Sequence, residues 1–519
     1  MLRKVRILFA AVFFAGITLL FLDFTGVLHT WLSWMAGIQF VPALLALNAG
    51  VITALVALTL VFGRVYCSVI CPLGVFQDVA ARLGGIRRKR RYTWSPAMTR
   101  LRLAVLCVFG AGLVLSLAAG IGSVVTMIEP YSIYGRIAAN VFQPVYITVN
   151  NLFAGVAERA DSYAFYSREV WLRSLPALVV AVVSLSVVAA LAWRGGRTYC
   201  NTFCPVGTLL GFLARRSWLK VRIDTSRCVG CGLCARHCKA SCIDVRSHSI
   251  DYSRCVACGD CMDHCHKDAI IYGRAASGAH ATSGQGAGRG AAAPDKPADE
   301  GRRLFLLGSV TAAATAALAE DKVKYDGGLA RIEDRVAPAR QTPLTPPGSL
   351  SAANLASRCT GCQLCVAECP NDVLRPSASL TSLMQPVMSY ERGYCRPECT
   401  RCSEVCPAGA IRPVTRADKS AIHIGHAVWI RKNCVPVADG KPCGNCASHC
   451  PAGAITMVPL DGAGGSEEEQ GQGRGEPRRL MIPVVNEELC IGCGACENLC
   501  PARPFSAIYV EGHEVHRVK

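Results

Sequence analysis

Six cysteine motifs constrain the fold of this 519-residue chain more than any other feature. Two of them follow one another with the spacing C-x2-C-x2-C-x3-C: Cys228, Cys231, Cys234 and Cys238, then Cys255, Cys258, Cys261 and Cys265. This is the bacterial ferredoxin spacing, in which three cysteines hold one [4Fe–4S] cubane and the fourth ligates the partner cluster. Structural zinc sites usually draw two ligands from each of two separated C-x2-C knuckles. Complete four-cysteine runs therefore favour iron–sulfur clusters, with Cys265 completing the first set and Cys238 the second.

Four more motifs lie in the last third of the chain. Two keep the plain spacing: Cys359, Cys362, Cys365 and Cys369, and Cys490, Cys493, Cys496 and Cys500. Two are stretched: Cys395, Cys399, Cys402 and Cys406, and Cys434, Cys443, Cys446 and Cys450. Six motifs predict six [4Fe–4S] clusters and a chain of electron-transfer sites. Lys239 and His266 follow the fourth cysteine of the first two motifs, where ferredoxins usually have proline, and the extra Cys242 is expected to be a spectator.

Long apolar runs dominate the chain up to about Trp193. Four of them, near 7–22, 38–62, 101–125 and 175–193, approach or exceed the roughly 20 residues that cross a bilayer as a helix. The sequence therefore predicts an all-α membrane bundle of four helices. None of the 11 histidines lies inside a predicted helix core, which disfavours an intramembrane haem, and the lone Cys107 is expected to pack.

Lysine and arginine between the runs set the orientation, because they are enriched on the cytoplasmic side. They cluster at the N-terminus and after the second and fourth runs, whereas residues 23–37 contain none. Both ends of the bundle are therefore predicted to face the cytoplasm of a bacterial inner membrane. Much of the net charge of +18 lies in these loops, and no basic stripe interleaved with aromatic residues suggests nucleic acid.

An internal repeat marks the ends of the second and fourth runs. Each ends in Y-C-x3-C-P-x-G, which supplies Cys67 and Cys71 in the first copy and Cys200 and Cys204 in the second. The bundle is therefore predicted to be a duplicated hairpin, and pseudo-twofold packing would bring the four thiols together. Such thiols would bind a seventh cluster or another thiophilic metal. The alternative is two separate helix-capping turns without a ligand.

A glycine-rich stretch at 273–300 predicts a flexible linker. Arg302 and Arg303 then precede a short apolar run that ends at Ala319, which resembles a twin-arginine export signal with a peptidase site. An ordinary fifth helix is the alternative, and either segment places the tail in the periplasm. A second low-complexity stretch at 462–476 is expected to be a surface insertion.

These features predict a membrane all-α bundle joined to α+β ferredoxin-like domains. The expected parts are the bundle (1–222), a cytoplasmic two-cluster ferredoxin (223–272), the linker (273–300), the signal or fifth helix (301–320) and a periplasmic four-cluster ferredoxin (321–519).

On these motifs, residues 1 to about 272 resemble the NapH/MauN membrane ferredoxins, and residues 301–519 resemble the NapG/MauM periplasmic ferredoxins. The chain looks like a fusion of the two. The resemblance implies a quinol dehydrogenase component that takes electrons from the quinone pool. Their destination would be a periplasmic reductase of the nitrate reductase type or a c-type cytochrome.

The resemblance also implies nested pairing in the tail. Cys500 would then join the Cys359 set and Cys369 the Cys490 set, while Cys450 would join the Cys395 set and Cys406 the Cys434 set.

Two other functions stay open at this point: an accessory or maturation factor for a periplasmic metalloenzyme, and outward transfer from a cytoplasmic ferredoxin. A quinol proton acceptor at Glu129, beside Pro130 and Tyr131, competes with the simpler interpretation of a solvated loop acid.

The export signal makes a prediction about the tail. Replacing both Arg302 and Arg303 with lysine should leave residues 321–519 in the cytoplasm, because twin-arginine export carries folded, cluster-bearing domains. Protease accessibility of the tail in spheroplasts measures its location. A tail that still reaches the periplasm with its clusters would show that export does not use this signal.

Overall fold

The structure is a computed structural model that describes residues 2–88, 92–162, 164–274, 336, 338–460 and 480–519. The predicted twin-arginine segment (301–320), the predicted insertion (462–476) and all but the first two residues of the predicted linker (273–300) lie outside the described residues.

Among the described residues, three helices are long and apolar enough to cross a membrane: Leu2–Leu22, Thr99–Ala119 and Leu175–Gly195. Each has 21 residues and is therefore about 30 Å long. They correspond to three of the four predicted runs. The first begins before the predicted residue 7 because its charged start is anchored: Arg3 pairs with Asp260 at 3.0 Å, and Arg6 pairs with Asp78 at 3.2 Å.

The second predicted run differs from the prediction because its helix is broken. It forms the helices Phe40–Leu45 and Ala49–Phe62, and the longer has 14 residues, fewer than a membrane span needs. The break lies at Leu47, which has a left-handed φ of 56°. Asn48 then caps the next helix by accepting a hydrogen bond from the Val51 backbone at 3.2 Å. A turn residue and an N-cap therefore interrupt an otherwise apolar run.

Shorter helices connect and cover the long ones. They are His29–Gly37, Val65–Val69, Pro72–Arg88, Ser123–Ile128, Pro130–Ile137, Gln143–Arg159, Thr198–Thr202 and Pro205–Ala214, with a π-helix at Ala138–Phe142. Pro72 and Pro205 are each the first residue of a new helix, as expected for a residue without a backbone N–H. The proline of each C-x3-C-P motif therefore ends one helix and begins another.

The first ferredoxin domain is built on the antiparallel strands Leu219–Ile223 and Ile270–Arg274, with Val221 opposite Tyr272. The strands Ile243–Asp244 and Ser249–Ile250 form a second pair. Its two short helices are Leu233–Arg236 and Asp260–Asp263, one in each cysteine motif. The domain thus begins at Leu219, slightly before the predicted residue 223.

The described part of the second ferredoxin domain contains three antiparallel strand pairs. They join Leu374–Pro376 to Pro386–Met388, Ile422–Trp429 to Ile508–Val518, and Ile455–Pro459 to Met481–Val485. Its helices are Ala352–Arg358, Leu364–Ala367, Arg401–Glu404, Arg416–Ala421, Val435–Ala438, Asn445–Ser448 and Ala495–Asn498, with a 3-10 turn at Arg431–Asn433.

The two ferredoxin domains lie at opposite ends of the long helices. On the third long run, Arg102 near one end donates to Ser253 of the first domain at 2.9 Å. Ser116 near the other end donates to the carbonyl of Ser357 in the second domain at 3.0 Å. The first long helix also contacts a different domain at each end: Arg3 pairs with Asp260 of the first domain, and Phe21 packs in the core shared with the second domain. The bundle therefore separates the two domains by about the length of a 21-residue helix.

The second domain shares its hydrophobic core with the bundle. Phe21 and Tyr131 of the bundle belong to the same buried cluster as Cys362 and Leu364, whereas most of the first domain's buried residues form a separate small core. Gly135 lies at a tight backbone contact between the bundle and the second domain, where an added Cβ would stand 2.4 Å from the carbonyl oxygen of Cys362 and 2.8 Å from Phe21. The absence of a side chain there lets the second domain dock.

Gly135→Ala should therefore loosen the docking. We expect a destabilisation of about 1–3 kcal/mol from overpacking, seen as a melting temperature lowered by about 2–4 °C per kcal/mol. Faster hydrogen exchange at residues 359–365 should accompany it. The matched control is Gly155→Ala in Gln143–Arg159, where an added Cβ meets nothing within 4 Å. Equal behaviour of the two variants would contradict the tight contact.

Candidate metal centres

The cysteine loops share a backbone conformation that wraps a cluster. In the four motifs with plain spacing, the residue before the second cysteine and the residue after it have positive φ. These residues are Gly230 and Gly232, Ala257 and Gly259, Gly361 and Gln363, and Gly492 and Gly494. The left-handed turns bend the chain between successive ligands, and glycine adopts them without cost. This local signal is in the sequence, since six of the eight positions are glycine and only Ala257 and Gln363 are not.

The first domain forms two cysteine sites by exchanging fourth cysteines. Site 1 is a cavity of about 230 Å³, lined by the set Cys228, Cys231, Cys234 and Cys265. Site 2 is a smaller cavity, lined by the set Cys238, Cys255, Cys258 and Cys261. The exchange is the one predicted from the ferredoxin spacing. Cys242 also lines site 2, with its sulfur 3.5 Å from that of Cys238, so it is not remote from the site.

The second domain pairs adjacent motifs, and the nested pairing expected above is wrong. Burial is the main cause that raises the pKa of Cys359, Cys362 and Cys365. The charge of Cys406 raises the pKa of all three further, so Cys406 lies near this set. Cys369 acts in the same way on the pKa of Cys395 and Cys402. Cys500 lies beside Cys434 and Cys446 and, through its charge, also raises the pKa of these two buried thiols. Cys450 lines a cavity with Cys490, Cys493 and Cys496.

The physical reason is that adjacent motifs fold as one ferredoxin unit. The helix Leu364–Ala367 packs on Arg401–Glu404, and Asn445–Ser448 packs on Ala495–Asn498. Four sites result. Site 4 is Cys359, Cys362, Cys365 and Cys406; site 5 is Cys369, Cys395, Cys399 and Cys402; site 6 is Cys450, Cys490, Cys493 and Cys496; and site 7 is Cys434, Cys443, Cys446 and Cys500.

The four sites form a series rather than two isolated pairs. The backbone N–H of Cys395 in site 5 donates to the carbonyl of Cys493 in site 6 at 2.9 Å. Within each unit the sites adjoin as well, because the charge of Cys402 contributes to raising the pKa of the buried Cys365, and that of Cys446 to raising the pKa of the buried Cys496. The order is therefore site 4, site 5, site 6 and site 7.

The repeated C-x3-C-P cysteines lie near one another. We call Cys67, Cys71, Cys200 and Cys204 site 3; all four thiols are buried. Burial, and after it the charges of Cys200 and Cys67, raises the pKa of Cys71. Burial also raises the pKa of Cys204, and the charges of Cys200, Cys67 and Cys71 raise it further. This arrangement contradicts the alternative of two separate capping turns that face different surroundings.

Two buried arginines hold the repeats together reciprocally. Arg64 of the first repeat donates to the carbonyl of Cys200 at 3.3 Å, and Arg197 of the second donates to the carbonyl of Cys67. Neither arginine has exposed surface. The Nε atom of Arg64 and one terminal nitrogen of Arg197 are buried without a hydrogen-bond partner. Cationic donors are therefore available beside four thiols, as an anionic thiolate-ligated cluster requires.

Lys239 explains why proline is missing after Cys238. Its ammonium pairs with Asp78 at 2.8 Å and with Asp260 at 3.2 Å. Its carbonyl accepts a hydrogen bond from the backbone of Arg197 at 2.8 Å. Proline has no ammonium with which to make these ion pairs. Lys239 thus ties site 2 to site 3 through Asp78, which also accepts from Arg197 at 2.7 Å.

Glu129 and Tyr131 lie between site 3 and site 4. The Glu129 carboxylate caps the helix Pro130–Ile137, accepting from the backbone N–H groups of Tyr131 (3.0 Å) and Ser132. Glu129 is 1% exposed, so it is not a solvated loop acid, and its carboxylate has a structural role as this cap. The buried hydroxyl of Tyr131 has no hydrogen-bond partner, and Cys362 is the thiol that, after burial, raises the pKa of Tyr131 most.

The sites fit [4Fe–4S] clusters in chemistry as well as in ligand number. Cluster ligands are thiolates, yet burial raises the pKa of most of these thiols, so iron is needed to hold them deprotonated. Backbone N–H groups also point at several fourth cysteines. Ala269, Ala454 and Ala507 donate at 3.3 Å to the sulfurs of Cys265, Cys450 and Cys500, which are the hydrogen bonds that tune cluster potentials.

Comparison with known proteins agrees with this chemistry. A family described as a 4Fe-4S binding domain matches residues 42–91 and again 177–225, which are the two C-x3-C-P segments. Another with that description matches residues 221–244. Families described as 4Fe-4S dicluster domains match residues 251–373 and 441–503. No solved structure matches the chain.

Several relatives are ferredoxin-type proteins. The methylamine utilization ferredoxin-type protein MauM of Methylobacillus flagellatus is 32% identical over 176 residues, which are 33% of this chain and 70% of the relative. The ferredoxin-type protein NapG of Escherichia coli is 32% identical over 212 residues, 38% of this chain and 81% of the relative. The ferredoxin-type protein NapF of the same organism is 27% identical over 172 residues, 33% of this chain and 87% of the relative.

The fold and the cysteine sites therefore define an iron–sulfur electron-transfer protein that binds several [4Fe–4S] clusters and carries helices suited to a membrane. Within that class, the chain belongs to the family of ferredoxin-type proteins that includes MauM and NapG.

Sequence reasoning missed the residues that assemble site 3. From the sequence, Arg64 and Arg197 count only among the basic residues that set the orientation, and no motif marks Asp78 or Gln77 as part of a site. Gln77 donates to the sulfur of Cys200 at 3.0 Å. A signal was available, because the repeat extends back to G-R-x-Y-C and places the two arginines in matched positions.

The pairing in the second domain can be tested with Cys406→Ser. Loss of this ligand from site 4 should release the thiols of Cys359, Cys362 and Cys365. Mass spectrometry after alkylation of the anaerobic, cluster-loaded protein should then show label on these three. Label on Cys434, Cys443 and Cys446 instead would restore the nested arrangement. Cys107→Ser, which removes an exposed thiol outside the motifs, is the control.

Proposed function

We propose that the chain carries electrons across the bacterial inner membrane, from quinol to a periplasmic reductase of the nitrate reductase type or to a c-type cytochrome. In this proposal it is a fusion of NapH/MauN-type and NapG/MauM-type parts. The first ferredoxin domain faces the cytoplasm and the second faces the periplasm. The observation that carries the proposal is the position of site 3, between site 2 of the first domain and site 4 of the second.

Contacts on both sides of site 3 support a continuous path. Toward the first domain, Arg64 donates to the carbonyl of Ser253 at 2.9 Å, two residues before Cys255 of site 2. Toward the second domain, Tyr199 beside Cys200 donates to the carbonyl of Ile128 at 3.1 Å, next to Glu129. Gly135, in the helix that Glu129 caps, touches Cys362 of site 4. Seven cysteine sites thus follow one another from one domain to the other.

We propose six [4Fe–4S] clusters at the ferredoxin sites and a seventh at site 3. A cluster, when bound, accepts and donates single electrons. The four buried thiols and the cationic donors beside them support an anionic cluster at site 3.

The protein's own residues hold and insulate this path. Arg64 and Arg197 place positive charge beside site 3, which favours its thiolates and, with them, an anionic cluster. Phe21, Tyr131 and Leu364 pack around the approach to site 4 and keep water away. A low local dielectric strengthens these electrostatic effects.

A second electron donor, a cytoplasmic ferredoxin, has an observation in its favour. Site 1 lies at the far end of the series, its cavity is the largest of the cysteine cavities described, and Cys231 is exposed. A soluble cytoplasmic ferredoxin could deliver electrons there instead of quinol. The two functions differ in the donor and in the order in which the sites are reduced.

Quinol-dependent reduction of the purified, cluster-loaded chain in anaerobic liposomes tests the proposal. Menaquinol should bleach the cluster absorbance in the wild-type protein and reduce an artificial acceptor on the side of the second domain. Cys200→Ser should cut this acceptor reduction by about tenfold or more while leaving the ferredoxin sites loaded. Cys107→Ser should behave like wild type.

The outcomes separate the candidates. Reduction by a cytoplasmic-type ferredoxin but not by quinol would favour outward transfer from a cytoplasmic ferredoxin. Absence of transmembrane transfer with either donor, in protein with full iron content, would contradict a respiratory path and leave a maturation role. Unchanged transfer in Cys200→Ser would remove site 3 from the path.

A further inference from the structure

A second kind of ligand set lies where the bundle meets the second domain, away from the cysteine sites. Asp23 and His29 follow the first long helix, and Glu368 comes from the second domain. Each offers one ligand atom, these atoms lie within 4.8 Å of one another, and all three residues are buried. We propose that they bind a divalent transition-metal ion, foremost Zn²⁺, which clamps the second domain to the bundle.

The Glu368 carboxylate is the observation that requires an explanation. The residue is 2% exposed, and neither carboxylate oxygen has a hydrogen-bond partner. A buried carboxylate without partners is strongly unfavourable. Its oxygens face Asp23, a second carboxylate, which makes the burial worse unless a cation lies between them.

His29 is oriented as a metal ligand. Its Nε2 lies 2.9 Å from Oε2 of Glu404, and its buried Nδ1 has no hydrogen-bond partner. A histidine that ligates a metal with one nitrogen commonly gives the other to a carboxylate, which fixes the ring and its tautomer. Glu404 would have this supporting role, leaving Nδ1 for the ion.

Asp23 is held rigidly with one oxygen less occupied than the other. Its Oδ1 accepts from the backbone of Thr25 and Gly26 and from the Thr25 hydroxyl, whereas Oδ2 accepts only from the backbone of Leu28 at 2.7 Å. Oδ2 therefore retains a lone pair for a ligand. Such positioning by backbone donors is the preorganisation that a metal site needs.

The charge balance also favours a cation. Asp23, Glu368 and Glu404 bring three carboxylates, and the nearby Arg401 is already bound to the carbonyl of Thr25 at 3.0 Å. One imidazole and two carboxylates suit Zn²⁺, with water completing the coordination. Because the ligands come from two domains, the ion would fix the second domain above the bundle.

Metal analysis of the full, cluster-loaded chain tests the proposal. After equilibration with a small excess of Zn²⁺ and removal of the unbound ion, we expect one zinc per chain in addition to cluster iron. X-ray absorption at the zinc edge should show only nitrogen and oxygen ligands, at about 2.0–2.2 Å. A sulfur shell near about 2.3 Å would mean zinc in a vacant cysteine site and would overturn the proposal.

Variants locate the ion. Glu368→Gln and His29→Gln should each lose the bound zinc without loss of iron, and Glu404→Gln should weaken zinc affinity by about 10–100-fold. The matched control is Glu169→Gln, which removes a carboxylate that pairs with Arg392 at 3.1 Å across the same interface. The control should keep its zinc. Wild-type protein that binds no zinc, or variants that retain it, would overturn the proposal.

Discussion

The rest of the structure depends on two reciprocal hydrogen bonds, in which Arg64 and Arg197 each bind a backbone carbonyl of the opposite repeat. Buried guanidinium groups need hydrogen-bond partners, and these two find most of theirs in the opposite repeat and in the first ferredoxin domain, although one nitrogen of each has none. Arg64 also donates to Asn201 at 3.0 Å and to Ser253 at 2.9 Å. Burial would raise the pKa of Asp78, but Arg197 and Lys239 lower it, so this buried carboxylate stays charged. One network thus joins both repeats to the first domain.

The second domain is held differently, by shape and apolar contact. Its junction with the bundle includes the Gly135–Cys362 approach and a shared aromatic core around Phe21 and Tyr131. At the edges, Arg168 donates to the carbonyls of Phe24 and Pro370, and Asn140 in the π-helix donates to Gln363 at 2.6 Å. π-Helical turns are frequent at functional sites. Here the turn presents a polar group to the loop of site 4.

The order of the cysteine sites follows from this docking. The loop of site 4 is the part of the second domain that meets the bundle, because Cys362 and its neighbours pack against Pro130–Ile137. Site 7 is at the other end of the series, beside Trp429 and far along the chain of contacts from the bundle. A partner that receives electrons would therefore be expected at site 7, and a partner of the first domain at site 1.

The sequence by itself determined the local features. Cysteine spacing defined the three-cysteine ligand sets, because a short loop with left-handed residues can wrap only nearby atoms. The apolar runs indicated the long helices, and the charge of the loops indicated their orientation. Only the tertiary structure decided which fourth cysteine completes each set: Cys500 lies with Cys434 and not with Cys359, since that choice depends on how helices pack. The break at Leu47 depends on one left-handed residue inside an apolar run. The meeting of Asp23, His29 and Glu368 depends on domain docking, which joins residues more than 300 positions apart and leaves no local pattern to read.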